Sequence, residues 1–295
     1  MDVAQRSNSR RNSAGLARDL ELLEALGSTE AGQSGGLGVV RIAQLTGRDK
    51  GVVSRALATL ADAELVERNE DMTYRLGAGL YALAARTAHA TLIGQARPYL
   101  RSVAQRTRET THLCVLSGGN VLTVMSELSP HEFGTTGWAG VTTAAWRTPS
   151  GRVLLSDWDD DSLAFWYAEH GKDAAIVGQS EPTIAAAGFS ILDSPDEDKI
   201  VVRDLDSLRA ELARIRQRGY ATLDEELERG VVGASAPVRD FAGRVVAALN
   251  VSAPKSRISD RLDSLGGYVA RAAERLSGHI GGHIGGHVSG AAFRA

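Results

Sequence analysis

The chain has 295 residues, 43% of them hydrophobic, a formal net charge of −3 and a single cysteine, Cys114. That length fits about two domains; the mild acidity excludes a globally basic nucleic-acid coat, and one thiol excludes an intrachain disulfide framework, so a reducing, cytoplasmic setting is expected. The opening residues MDVAQRSNSRRNSAG hold no apolar stretch of the signal-peptide kind and no run of about 18 apolar residues occurs, so no membrane partner is expected.

Residues 1–12 are polar and carry Arg6, Arg10 and Arg11, which reads as a disordered basic arm that either tracks phosphates or stays idle. From Ser13, Leu16, Leu20, Leu23 and Leu26 recur at helical spacing, and Gly27 closes that helix. STEAGQSGGLG has the composition of a loop, VVRIAQL is a short helix and TGRD a tight turn. Asp49 can cap the next helix, which runs to about Ala63, because its carboxylate can accept unpaired first-turn amides. LVERNEDMTYRL gives two short extended runs around NED, a small hairpin. The alanine-rich stretch 77–97 is expected to form one or two linking helices, which Pro98 breaks before another helix over 98–108.

THLCVLSGGNVLTVMSEL predicts two strands around a Ser-Gly-Gly-Asn turn. Helices are expected over 149–156, 161–170 and 206–218, a second hairpin turning at Asp240–Gly243, and a last helix over about 259–277. Residues 278–295 are a Gly/His-rich tail expected to be flexible. The expected domains are therefore 13–76, a linker helix at 77–97, and an α+β or α/β domain over 98–277.

Three helices followed by a hairpin, with a glycine turn between the second and third, form a winged helix-turn-helix pattern. On the third helix Val53, Leu57 and Leu60 share one face, while Lys50, Gly51, Ser54 and Arg55 lie around the other. Such a helix can present its N-terminal end to base edges, with Arg48, Lys50 and Arg55 neutralising phosphates or reading guanine. Spacing alone equally allows a three-helix bundle with a solvated face. Residues 1–76 hold ten basic and eleven acidic side chains, so the positive charge has to be local and DNA binding is expected to need two copies.

The segment VVRIAQLTGRDKGVVSRALATLADAELVERNEDMTYRLG resembles the DNA-binding domain of the IclR family of transcriptional regulators. LRAELARIRQRGYATLDEELERGVVGASAPVRDFAGRVVAALNVSAP is similar to that family's effector-binding domain, in the same order and spacing. The resemblance implies a winged helix-turn-helix joined by a helix to a GAF-like effector domain. It also implies a palindromic operator in double-stranded DNA, a small-molecule effector, and homodimers or homotetramers, most often acting as repressors. The family often opens its recognition helix with Pro-Lys-Ser-Thr; here Asp49, Lys50, Gly51 and Val52 stand in those places, so two hydroxyls are missing and an acid is added.

In AALNVSA, Asn250 and Ser252 share a face with Val246 and Ala248, opposite Ala247, Leu249 and Val251. Two polar side chains on an apolar face need partners if buried: a ligand, or a neighbouring loop or water. In WRTPSGRVLL, Thr148 is a helix cap and Pro149 a first helical residue. The amides of Ser150, Gly151 and Arg152 then form either an acceptor site for a ligand or an ordinary cap. The loops HEFGTTGWAG and FSILDSPDEDK read as lids, with Trp138, Trp146 and Phe189 as candidates for a pocket wall and Asp193–Asp198 as a solvated acidic loop. The resemblance implies that Pro149, Ser150, Gly151, Asn250 and Ser252 touch the effector. In members that bind small carboxylates, an acid and a cysteine complete the site; transferred by position they fall on Leu223 and Gly233. The site has thus lost a charge and a thiol, and an aromatic or acyl effector with one carbonyl or carboxyl end is expected.

Two other classes compete. A metal-responsive regulator would use His279, His283 and His287, which recur every four residues, but the Gly-Gly pairs between them disfavour the helix that would align them. A small-molecule enzyme would need a nucleophile with a base; Cys114 lies mid-strand without a basic cluster and reads as core, and no H-E-x-x-H or P-loop pattern occurs. No catalytic residue, metal ligand or cofactor is therefore assigned.

Overall fold

The computed structural model describes residues 3–130, 138–177, 192 and 195–284. The chain divides into two compact units, Met1–Ala90 and Thr91–Ala295.

The first unit is a winged helix-turn-helix. Helix α1 (Val3–Leu26) is followed by α2 (Thr29–Ser34), α3 (Val39–Thr46) and α4 (Lys50–Asp62), then by the antiparallel pair β1 (Val66–Arg68) and β2 (Tyr74–Leu76). Leu22, Leu26, Leu37, Ile42, Val53, Leu57, Val66 and Tyr74 build its core. The turn between α3 and α4 needs Gly47, whose φ of 62° is left-handed. Asp49 caps α4 by accepting from the amides of Gly51 and Val52 at 2.8 and 3.2 Å.

Two expectations in this unit are corrected. The arm over residues 1–12 is not disordered throughout: α1 is helical from Val3. No glycine or proline interrupts residues 3–14, and a helix already anchored by Leu22 and Leu26 extends without a new nucleus. The glycine-rich stretch after α1 holds α2, capped by the Ser28 hydroxyl, which accepts from Ala31, and closed by Gly35 at φ 72°.

The linking stretch forms α5 (Ala78–Ala84) and α6 (Ala88–Thr107), so the break falls at Ala85–Thr87 and not at Pro98, which sits inside α6. Burial of Ala96, Leu100, Val103 and Ala104 carries the helix through the hydrogen bond that proline cannot donate.

In the second unit seven antiparallel strands follow the order β6-β5-β4-β3-β9-β8-β7. They are β3 (Thr110–Ser117), β4 (Asn120–Glu127), β5 (Thr142–Thr143), β6 (Ile176–Val177), β7 (Ala221–Asp224), β8 (Val231–Arg239) and β9 (Val245–Pro254). The alternation in β9 decides which residues go where. Ala247, Leu249, Val251 and Ala253 pack with Leu113, Val115 and Ala234 against α6 and the last helix. The opposite face carries α7 (Pro149–Leu154), α8 (Asp160–His170) and α9 (Leu205–Arg218) over Cys114, Val121 and Ala248. After the short α10 (Lys255–Ile258), α11 spans Leu262–Ile284. The flexible tail expected from 278 is thus corrected over 278–284, where Ile280 is buried with Val269 and Leu276 and this packing offsets the low helix propensity of Gly281 and Gly282. Residues 285–295 lie outside the described residues.

Candidate functional site

The outward side of α4 in the first unit follows from its two faces. Val53 and Leu57 are fully buried, which turns Lys50, Gly51, Ser54 and Arg55 outward, all exposed. Arg48 is corrected. Its guanidinium donates to the carbonyl of Arg18 at 2.6 Å and pairs with Asp19 at 3.3 Å, with 14% of the side chain exposed. It fastens α1 to the α3–α4 turn instead of presenting charge to a phosphate. On the hairpin, Arg75 is paired with Glu67 at 2.9 Å and Arg68 lies over the Tyr74 ring.

In the second unit one cavity lies between the sheet and α7. Its floor is Asn250 and Ser252 on β9, Gly233 and Val232 on β8, and Leu223 on β7. Pro149 and Ser150 close one side, and Trp138 and Thr148 also line it. Its volume of about 80 Å³ is several times the roughly 10–15 Å³ that one water needs. Six of the seven residues expected for the effector site therefore meet in one place. Gly151 does not. A β-carbon there would lie 2.1 Å from the Ala145 carbonyl oxygen, so Gly151 is required by the close packing of α7 on residues 145–147. The amides of α7 are corrected too: Gly151 donates to the Thr148 hydroxyl and Arg152 to the Thr148 carbonyl, so of the three proposed donors Ser150 alone lines the cavity. Of the aromatic candidates, Trp138 is on the wall, Trp146 packs with the core below α7, and Phe189 lies outside the described residues.

The polar groups of the cavity fall into two sets. His112 faces Asn250 across the β3–β9 pairing and is held at both ring nitrogens, Nδ1 2.8 Å from the Ser126 hydroxyl and Nε2 2.9 Å from that of Ser252. Burial pushes its pKa down to about 4, so the ring is neutral at pH 7. Asn250 is 8% exposed, and its side-chain oxygen is buried without a hydrogen-bond partner. Cys114 also lines the space, with its thiol pushed up by burial, which makes it a poor nucleophile.

Behind the wall, Arg152 and Glu226 form a sealed ion pair with side chains 1% and 5% exposed. Arg152 adds a bond from Nε to the Trp146 carbonyl at 3.0 Å. Glu226 precedes Leu227 and Glu228, which line the cavity, so the pair ties that segment to α7. Lys255 and Lys199 hold the neighbouring Asp224 and Glu225, and the Lys255 ammonium holds both carboxyls below the usual carboxylate range. Arg229 pairs with Asp196, so the expected acidic loop is tied at that residue.

His112, Thr123, Leu227 and Glu228 were missed by sequence reasoning, and Cys114 was read as core alone. His112 and Cys114 alternate on β3 as Asn250 and Ser252 do on β9, but only the β3–β9 register shows that the two faces coincide. A second hollow, bordered by Trp158, Leu212, Arg209 and Arg216, is wider at about 260 Å³. Arg209 is committed to Asp160 and Asp206 there, Arg216 to the Ser156 carbonyl, and no buried polar atom is left without a partner. The first cavity is therefore the candidate site. No group of three or more His, Cys, Asp or Glu able to hold a metal ion occurs among the described residues. The His279 ring lies tilted at 44° to that of Tyr99, 5.7 Å away, while His287 lies outside the description. No described helix is long and apolar enough to cross a membrane.

An outward-facing helix of a winged unit and a polar-floored cavity in a second unit are the parts of a one-component regulator of transcription, in which a small molecule controls DNA binding. Comparison with known proteins narrows the class. The model of the IclR helix-turn-helix domain matches residues 15–70, and that of the bacterial transcriptional regulator IclR C-terminal domain matches 84–175 and 199–278. The chain belongs to the IclR family of ligand-responsive, DNA-binding transcription regulators. It is 29% identical over 266 residues to the HTH-type transcriptional regulator BhcR of Paracoccus denitrificans, covering 89% of this chain and 85% of that protein. The Pca regulon regulatory protein of Pseudomonas putida is 26% identical over 246 residues, covering 83% and 75%. Among solved structures, an IclR homolog of Microbacterium hydrocarbonoxydans complexed with 4-hydroxybenzoate superposes with a TM-score of 0.69 at 21% identity, over 90% of this chain and 98% of that one.

Proposed function

We propose that the chain is a repressor acting in the cytoplasm, which binds a palindromic operator as a dimer or a dimer of dimers and releases it when an aromatic or acyl compound fills the cavity beside α7. Lys50, Gly51, Ser54 and Arg55 face the DNA, the first two at the N-terminal end of α4, where a helix reaches base edges. Ser150, Asn250 and Ser252 hold the effector's polar end, while Leu223 and the bare Gly233 leave room for its apolar part. The basic N-terminal stretch, with Arg6, Arg10 and Arg11, adds phosphate contacts.

The observation that carries this reading is Asn250: a carboxamide oxygen buried without a partner, on the floor of a cavity with room for a small molecule. Leaving such a group unpaired costs about 1–3 kcal/mol, a cost a bound ligand removes. One further fact supports the assembly and another the ligand. Leu16, Leu20, Tyr81 and Leu83 are exposed on α1 and α5, apolar surface suited to a second copy. The likeness to the fold complexed with 4-hydroxybenzoate fits a ring-sized ligand. The protein acts by binding: its relatives are transcription regulators.

The test is fluorescence anisotropy of the full chain on DNA flanking its own gene, paired with a thermal-shift screen of small aromatic and acyl compounds. A compound that raises the melting temperature should lower operator affinity, and Asn250→Leu should abolish both effects. A stabilising compound that leaves operator affinity unchanged defeats the sensing role.

A further inference from the structure

The cavity floor has a defined polarity. No lysine or arginine lines it among the described residues. Arg152, two residues beyond Ser150, spends its guanidinium on Glu226 and the Trp146 carbonyl. His112 is neutral at pH 7 and engaged at both nitrogens. Glu228, an acidic residue, is among the residues that line it. An anionic ligand entering this space would shed its water without meeting a counter-charge, and a buried unpaired charge is far costlier than a hydrogen-bonded neutral group.

Asn250 sets the opposite requirement. Its buried oxygen needs a donor, and the same side chain carries two N–H groups able to donate. A ligand end that donates and accepts side by side satisfies both halves. A carboxylate only accepts, and would press a second lone-pair group against Oδ1.

We propose that the effector is an uncharged aromatic carboxamide, with its ring against Leu223 and the bare backbone at Gly233 and its amide paired with Asn250, and that the site discriminates against the corresponding carboxylate. The proposal rests on the cavity being the effector site. It sharpens the expected carbonyl-or-carboxyl end to the neutral form, because no lysine or arginine lies on the described wall to meet a carboxylate.

Calorimetry on the full chain at pH 7.5 with benzamide, benzoate and glyoxylate tests it. Benzamide should bind at least tenfold more tightly than benzoate. Asn250→Asp, equal in size but offering acceptors only, should weaken benzamide and admit the cation benzamidine. Benzoate binding as tightly as benzamide overturns the proposal but leaves the aromatic reading of the effector standing. Binding of glyoxylate with neither ring compound overturns both. The comparison of benzamide with benzoate is made on the unmutated protein, so it holds whether or not the variant folds.

Discussion

Glu226→Leu would leave the Arg152 guanidinium buried without its carboxylate. The pair is sealed from water, with Nη1 of Arg152 3.2 Å from Oε1 of Glu226 and the second nitrogen against Oε2. Removing one partner of such a pair costs about 3–5 kcal/mol, because the remaining charge keeps its desolvation penalty. The unit spans Thr91–Ala295, and for a domain of that size each kcal/mol lowers the melting midpoint by about 2–4 °C, so a fall of roughly 6–20 °C is expected. Arg152→Met/Glu226→Leu removes both charges and keeps much of the volume; replacing a buried pair by apolar groups is often neutral. The double variant does lose the bond to the Trp146 carbonyl, worth about 1 kcal/mol, so it should lie within about 2 kcal/mol of the parent. Scanning calorimetry of the full chain with both variants measures this. The double variant should also bind effector more weakly, since Leu227 and Glu228 are no longer tied to α7, while DNA binding without effector stays intact. A single variant within about 1 kcal/mol of the parent, or a double variant as damaged as the single, would refute the reasoning.

Gly233→Leu should fill the cavity and lose the effector response while keeping operator binding. A β-carbon there sits 3.7 Å from Pro149 Cγ and 3.8 Å from Asn250 Oδ1, but 3.3 Å from the Val251 carbonyl oxygen, so a stability loss of about 1–3 kcal/mol should accompany it; an unaltered effector isotherm would show that the ligand does not occupy this space. Arg55→Ala should raise the operator Kd by the equivalent of about 1–3 kcal/mol with little change in melting temperature, because the side chain is exposed beside Gly51; unchanged affinity and salt slope in anisotropy would take Arg55 out of the interface. The folded pKa of His112 lies near 4, below the ordinary value of 6.5. Its contribution to stability is therefore whole above about pH 6.5 and is lost as pH falls toward 4, by up to about 3 kcal/mol. His112→Asn should flatten that part of the stability profile in chemical denaturation between pH 4.5 and 7.

The order of elements was legible in the sequence because local rules govern it. Leucine spacing, the Asp49 and Thr148 caps and the glycine turns at Gly47 and Gly243 act over a few residues. The β9 alternation likewise separated Asn250 and Ser252 from Leu249 and Val251 without reference to any partner strand. Local rules failed where long-range burial outweighed them. Pro98 stays helical because Ala96 and Leu100 are buried, and the Gly-Gly tail stays helical to Ile284 because Ile280 is. Arg48 could be counted as a free cation from its spacing, but its partner is 29 residues away at Asp19. The cavity divides in the same way. Its β9 residues and Ser150 carry a sequence signature, whereas His112 enters through the register of β3 on β9, and the Arg152–Glu226 pair joins positions 74 residues apart. Strand register and buried charge pairing depend on contacts between distant segments, which only the packed chain brings together.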